Sequence, residues 1–267
     1  MHQQFTVQGE LGATAKLGSG SVTVEPTAAG IAWASVVALD PAHEPSVALA
    51  ERSTITLQGD QLQVDVPHSG RPFRRASVAI TFGLPPQSSL AVRGGAVDVR
   101  VVGGLQALAV KVGSGDVEVD AATAVAVKSG QSDLTVGTAD NVAFTTGQGS
   151  LRAGQVGDAA FKAGDGSVDL GRADGAVAVR GGSVQLVIRE AGPGEVDFNT
   201  GSGSASVGVR VGTTIDLDMM SGSGDVRCDL PMESSAPSGG AALRLRLRTG
   251  SGDLLVQPGQ PATSAGA

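Results

Sequence analysis

The chain has 267 residues, of which 40 are glycine, none is tyrosine and only 3% are aromatic. Its formal charge of −7 argues against nucleic acid and anionic membrane surfaces as partners. No secretory leader and no apolar run of membrane-spanning length is visible, so the sequence predicts a cytoplasmic protein, or a cell-surface protein if the true start lies upstream.

Residues 1–90 are predicted to form a β-rich N-terminal cap. Residues 17–24 look like an early copy of a glycine corner that recurs later in the chain. Residues 54–57 and 62–66 predict a hairpin, residues 77–82 predict a further strand, and one helical turn is expected near residues 45–52. Such a cap would cover the unpaired edge at the end of a stack of strands.

Residues 91–256 are predicted to form repeated coils. The corner Gly113-Ser114-Gly115-Asp116 recurs with variations, and each copy is followed by residues that alternate between apolar and polar, as in a half-buried strand. The anchors, defined as the first apolar residue after each corner, are Val97, Val117, Leu134, Leu151, Val168, Val184, Ala205, Val226 and Leu254. The three steps from Val117 to Val168 are 17 residues each. This period predicts an all-β fold, a parallel β-helix (β-solenoid) with one coil per repeat.

In that fold the inward residues of successive coils would stack in columns, in the order of the chain. One column would consist of the anchors. A second column would hold Val127, Phe144, Phe161, Val179, Phe198, Met219 and Leu247. Glycine suits the corners because it adopts positive φ without strain, and corner Asp and Ser side chains can bond the local backbone. Cys228 is expected to be a buried residue of an inward position.

Two insertions between coils are candidate contact sites for a partner. One is the segment Ala191, Gly192, Pro193 and Gly194, and the other is a Pro/Ser/Gly loop over residues 231–240 that includes Pro231, Glu233 and Pro237. The tail over residues 257–267 is predicted to be disordered because it consists almost entirely of Pro, Gly, Ala, Ser and Gln.

The recurrent Gly-Ser-Gly-Asp corners, the strand before Leu84-Pro85 and the closing Arg-Leu-Arg-Thr-Gly-Ser-Gly-Asp-Leu resemble a bacterial β-strand-repeat family. That family is catalogued as domain of unknown function 4097 and labelled "putative adhesin", and the likeness is to its signal-less actinobacterial members. The resemblance covers nearly the whole chain. It implies a right-handed β-helix and no established enzymatic activity, and it carries no catalytic residues to transfer.

The sequence predicts no catalytic residues and no cofactor. Asp116 stacked on Asp133 is the one candidate for a calcium site, although calcium takes six to eight oxygen ligands. A carbohydrate-active enzyme would need two nearby carboxylates, whereas Glu118 and Asp169 would lie three coils apart. The preferred hypothesis is therefore a non-enzymatic scaffold or interaction module with an unknown protein partner. The alternatives are a surface adhesin-like binding protein and self-association of the β-helix.

Overall fold

A computed structural model describes residues 1–67, 76–230 and 242–259 of the chain. The chain divides into two compact units, Met1–Leu134 (unit 1) and Thr135–Ala267 (unit 2). Among the described residues there is one helix, and strands make up most of the rest, which confirms the all-β class. That helix is too short to cross a membrane, and the described part of the chain contains no other.

The strands of unit 1 lie in the order β1-β3-β6-β2-β7-β8. Their bounds are β1 (His2–Thr6), β2 (Gly12–Pro26), β3 (Ile31–Ala38), β4 (Thr54–Gln58), β5 (Gln61–Asp65), β6 (Val78–Leu84), β7 (Ser89–Lys111) and β8 (Val117–Lys128). β2 pairs in parallel with β5 and β6 on one side and with β7 on the other, and β7 pairs in parallel with β8. The parallel array therefore already includes the early glycine corner in β2.

The first strands of unit 1 are antiparallel. β3 pairs with β1 and with β6, and β4 forms with β5 the hairpin that the sequence predicts. The predicted helical turn is the helix α1 (Glu44–Glu51), which begins with Pro45 in its first turn, where no N–H partner is needed. Its buried Ser46 accepts a hydrogen bond from the backbone N–H of Ser77, which fastens the helix beside β6.

Unit 2 contains the remaining strands, apart from the first residue of β9, and all of them are paired in parallel in the described residues. Their bounds are β9 (Leu134–Ala173), β10 (Ala176–Ala191), β11 (Gly194–Ser202), β12 (Ala205–Val209), β13 (Thr214–Ser221), β14 (Val226–Cys228), β15 (Ala242–Ser251) and β16 (Leu254–Pro258). Phe161 pairs with Val179, and Val179 pairs with Phe198, each partner 18 or 19 residues further on. These inward side chains are at most 1% exposed and form the core.

The strand order of unit 2 departs from the chain order near its end. β15 lies between β11 and β13, and β16 lies between β12 and β14. Leu254 therefore stacks between Ala205 and Val226, not beyond Val226 as predicted. The chain skips one position in the stack, forms the outermost strands β13 and β14, and then returns to fill the gap.

Two predicted anchors, Val97 and Val184, are displaced by two residues. Val168 pairs with Leu186, and Val117 pairs with Val99, so each true stacking partner lies two residues after the predicted anchor. The prediction was wrong because both residues of each Val-x-Val or Val-x-Leu pair point inward. From sequence spacing alone, either member could be taken as the anchor.

At each displaced valine, the side chains of two nearby positions compete for the same space beside the glycine corner. A Cβ on Gly181 would lie 2.4 Å from Cγ2 of Val184, so the valine fills the space that a side chain at position 181 would occupy. In the preceding coil the sizes are reversed, since Ala163 pairs with Gly181 and Gly166 pairs with Val184. The same exchange occurs in unit 1 between the pair Gly94 and Val97 and the pair Leu17 and Gly20.

Candidate functional site

The corner aspartates of unit 1 bind the backbone of the next coil. Oδ1 of Asp98 accepts a hydrogen bond from the backbone N–H of Asp116 at 3.0 Å, and Oδ1 of Asp116 accepts one from the N–H of Asp133 at 3.4 Å. Among the described residues no three Asp, Glu, His or Cys side chains are grouped as metal ligands. The candidate calcium pair, Asp116 and Asp133, is thus engaged in stacking the coils.

The candidate contact segment at residues 191–194 does not project from the surface. Ala191 and Gly192 are buried, whereas Pro193 and Gly194 are half-buried. Gly194 has a φ of +150°, and a Cβ there would lie 2.2 Å from the carbonyl oxygen of Gly175. Only Pro193 and Gly194 therefore have any surface to offer a partner. The other candidate residues, Pro231, Glu233 and Pro237, lie outside the described residues, as does most of the predicted tail.

An ion-pair cluster holds this segment in place. Arg210 donates from Nε to Glu190 at 2.5 Å and from Nη2 to Asp174 at 2.6 Å, and Asp174 also accepts from Nε of Arg172 at 2.7 Å. Burial acts to raise the pKa of Asp174, but the hydrogen bonds from Arg210 and Arg172 outweigh it and hold that pKa below its usual value. The cluster joins three successive coils, and each of its charged side chains is already paired with one of opposite charge.

In unit 2, the outer edge of β13 and β14 is an open strand edge. β13 pairs with β15 and β14 pairs with β16 on one side, and no strand in the described part of the chain pairs with either on the other side. Since this coil is the outermost among the described residues, its inward side chains are only partly buried or exposed. The inward apolar residues of this edge, each half-buried or exposed, are Ile215, Leu217, Met219, Val226 and Cys228.

Val226 and Cys228 illustrate how far this coil differs from the others. Val226 is 46% exposed, whereas its neighbours in the stack, Leu254 and Ala205, are 1% and 2% exposed. Cys228 is half-buried and unpaired by a disulfide, so the expectation of a buried cysteine is wrong. Both residues were predicted to be internal because stacking in chain order would put the chain's last corner beyond them.

The outward side chains of each strand near this edge form one rung, and the charge of the rungs alternates from strand to strand. Glu195 of β11 pairs with Arg246 of β15 at 3.5 Å. On the other side of β15, Arg244 binds Asp216 at 3.1 Å and Arg248 binds Asp218 at 2.7 Å. The sequence of rungs is acidic, basic and acidic, and the acidic rung of β13 is the outermost.

This charge pattern favours the position of β15 between β11 and β13. Stacking in chain order would place Asp216 and Asp218 of β13 next to Glu195 and Asp197 of β11, and like charges on adjacent strands are destabilising. In the observed register Arg244 separates Glu195 from Asp216, and Arg246 separates Asp197 from Asp218. The signal in the sequence is the alternation of Arg residues in β15, which can be recognised only by comparing charges between strands that are distant in the chain.

The family model described as Toastrack DUF4097 matches residues 49–257, which include β4 to β15 and all but the last residue of β16. The chain belongs to this family. The match confirms the resemblance seen in the glycine corners, and the function of the family is unknown. No curated protein matches the chain significantly.

Similar solved structures have little sequence in common with this Toastrack chain. One, described as a "putative adhesin" from Bacteroides fragilis, is 15% identical, with 96% of each chain covered and a TM-score of 0.45. A "putative cell adhesion protein" from Clostridium sporogenes is 10% identical over 97% of this chain and 99% of that chain, with a TM-score of 0.28. A "putative lipid binding protein" from Parabacteroides distasonis is 14% identical over 97% and 94%, with a TM-score of 0.31. Likenesses this distant support no inference about function.

Proposed function

We propose that the chain is a non-enzymatic interaction scaffold whose last coil, β13 and β14, binds a partner protein along its free edge. The observation that carries this proposal is the row of incompletely buried apolar residues beside an edge with no strand partner in the described residues. An open strand edge offers backbone N–H and C=O groups to an added strand, and this is a common mode of peptide recognition.

The scaffold in this proposal is a right-handed parallel β-helix with coils of about 17 residues. Its support is the pairing of residues at near-constant offsets, such as Ala107 with Ala124 and Val177 with Ala159. Connections between parallel strands of one sheet are almost always right-handed, because only that hand packs back onto a twisted sheet. Such a scaffold presents its end coil on a rigid base.

The proposal includes the absence of enzymatic activity. The outward carboxylates considered for glycoside hydrolysis are engaged separately, Glu118 with Arg100 at 3.8 Å and Asp169 with Arg189 at 2.8 Å. Hydrolysis of a glycoside requires one carboxylic acid and one carboxylate that face each other across a single bond. Carboxylates that pair separately with arginines fit a structural role better.

The test is site-specific photo-crosslinking in the cells that produce the protein. A photoreactive amino acid replaces Met220, which is 61% exposed on β13, and in a control it replaces the exposed Thr135, which is remote from β13 in sequence and in strand order. We expect a discrete protein adduct at position 220 and none at position 135. Equal labelling at both positions, or none at either, would refute a binding role for this edge.

A further inference from the structure

β15 shows what kind of strand fits against β13. Its sequence alternates leucine and arginine from Leu243 to Arg248. Leu243, Leu245 and Leu247 point inward and are at most 1% exposed, while the intervening arginines point outward. Leu245 pairs with Leu217, and Leu247 pairs with Met219. The apolar residues of β13 thus already stack on leucine from one side.

The acidic side chains of β13 are bound on that same side only. The Asp216 side chain is 71% exposed although it binds Arg244, and the Asp218 side chain is 48% exposed although it binds Arg248. A carboxylate can accept hydrogen bonds at both oxygens, so each has capacity for a second cation. The rung that would come next beyond an acidic rung is basic, which continues the alternation from β11 through β15 to β13.

The same charges argue against a second copy of this chain at the edge. A symmetric pair of β13 strands would run antiparallel, because closed dimers have twofold symmetry. With the pairing centred on Leu217, that arrangement would bring Asp216 of one copy opposite Asp218 of the other. Like charges directly opposite across two strands are destabilising, so the edge is better suited to a different sequence.

We propose that the free edge of β13 binds an extended segment of a partner protein in which Arg or Lys alternates with aliphatic residues. The segment adds as the next parallel strand, with its aliphatic residues over Ile215, Leu217 and Met219 and its cations against Asp216 and Asp218. This inference rests on the proposed function, since it names the chemistry of the partner at the same edge. Backbone pairing requires an extended conformation of the partner segment, and the aspartates require positive charge on its outward side chains.

The test uses labelled peptides and the full chain in fluorescence anisotropy. The probe is the decapeptide Ala-Leu-Arg-Leu-Arg-Leu-Arg-Thr-Gly-Ser, which copies β15, and the control peptide has Glu in place of each Arg. We expect the acidic control to bind at least about tenfold more weakly, and the affinity of the basic probe to fall as salt is added. Equal binding of both peptides, or no binding of the basic probe, would overturn the proposed chemistry.

A protein variant locates the binding to β13. Asp216→Asn combined with Asp218→Asn keeps both side chains similar in size, and we expect it to weaken the basic probe by about tenfold. The matched control is Asp165→Asn, which removes an exposed charge elsewhere in unit 2 and should leave binding unchanged. Because the two aspartates are exposed, the double variant should unfold at nearly the wild-type denaturant concentration. Unchanged affinity in the double variant would overturn the proposal.

Two other occupants of the edge would be distinguished. If the probe binds only after residues 231–241 are replaced by a Gly/Ser linker of equal length, the chain's own segment is the occupant and the proposal is wrong. If light scattering shows a dimer that the probe dissociates, the occupant is a second copy and the proposal is also wrong. Crosslinking at position 220 without binding of either peptide would retain the proposed function and refute only the basic partner.

Discussion

Exchange of the side chains at positions 181 and 184 tests whether two residues share one corner space. The variants are Gly181→Ala, Val184→Gly and the double variant, which reproduces the arrangement of Ala163 and Gly166 in the preceding coil. In the single alanine variant the new Cβ would lie 2.4 Å from Cγ2 of Val184 and 2.6 Å from the carbonyl oxygen of Ala163. In the double variant the first of these overlaps disappears and only the second remains.

The structure gives the size of each effect. Val184 is 1% exposed, and its replacement by glycine removes three buried carbons at about 0.8 kcal/mol each, with roughly 0.5–1 kcal/mol more for backbone entropy. We therefore expect Val184→Gly to lower the free energy of unfolding by about 3 kcal/mol. Gly181→Ala overpacks the corner and should cost about 1–3 kcal/mol. The overlap with Ala163 is common to the single and double alanine variants, so it cancels in the interaction energy.

The assay is urea unfolding followed by circular dichroism, analysed as a double-mutant cycle. We expect the double variant to be more stable than the sum of the single effects predicts, by about 1–2 kcal/mol, at an unchanged dependence on urea. Additivity within about 0.5 kcal/mol would mean that the two positions do not share the space, and the argument from the corner geometry would be refuted.

Three further predictions concern the core, an ion pair and the corners. Leu151→Asp should lower the free energy of unfolding by more than about 4 kcal/mol because it buries an unpaired charge. Thr135→Asp lies on the exposed face and should change the free energy of unfolding by less than about 0.5 kcal/mol. Similar urea midpoints for the two variants would contradict the inward–outward assignment of these strands. Because Arg210 lowers the pKa of Asp174 from its reference value of 3.8, the stability from this pair is present above that pH and is lost as the pH falls through the folded-state pKa. Arg210→Gln should thus cost about 1 kcal/mol near neutral pH, and its unfolding curve should converge with that of the wild type in acid; a constant difference at all pH values would disprove the linkage. Asp116→Ala should lower the free energy of unfolding by about 1 kcal/mol because it removes the hydrogen-bond acceptor, and Asp116→Asn should lower it by less. Added calcium should not raise the melting temperature of the wild type. A rise in melting temperature that Asp116→Asn abolishes would restore the calcium interpretation.

Much of the fold could be predicted because its signals are local and repeated. The corners around Gly115, Gly203 and Gly252 have φ between +128° and +136°, which glycine adopts without strain, and the residues that follow alternate inward and outward as expected. The hairpin of β4 and β5 and the strand β6 were predicted for the same reason. Each of these features depends on a few neighbouring residues, whose preferences do not change with the rest of the structure.

The candidate site was missed because it depends on which coils are neighbours. Ala191 and Gly192 of the predicted contact segment are buried, whereas the predicted contact sites did not include Asp216 or Asp218 of the open edge. Stacking order was assumed to follow chain order, and Val226 was therefore placed inside a column instead of at its end. The arginines of β15 suit a position between the acidic strands β11 and β13, but this preference acts between residues that are far apart in the chain.

The sequence by itself determined the all-β class, the spacing of the corners, the alternation of inward and outward residues and the membership in a repeat family. These follow from backbone preference and burial, which act over a few residues. Only the tertiary structure decided that Leu186 rather than Val184 stacks on Val168, and that β15 lies between β11 and β13. Coils with similar apolar columns can stack in more than one order, so the choice depends on charge and packing between strands that are far apart in the chain.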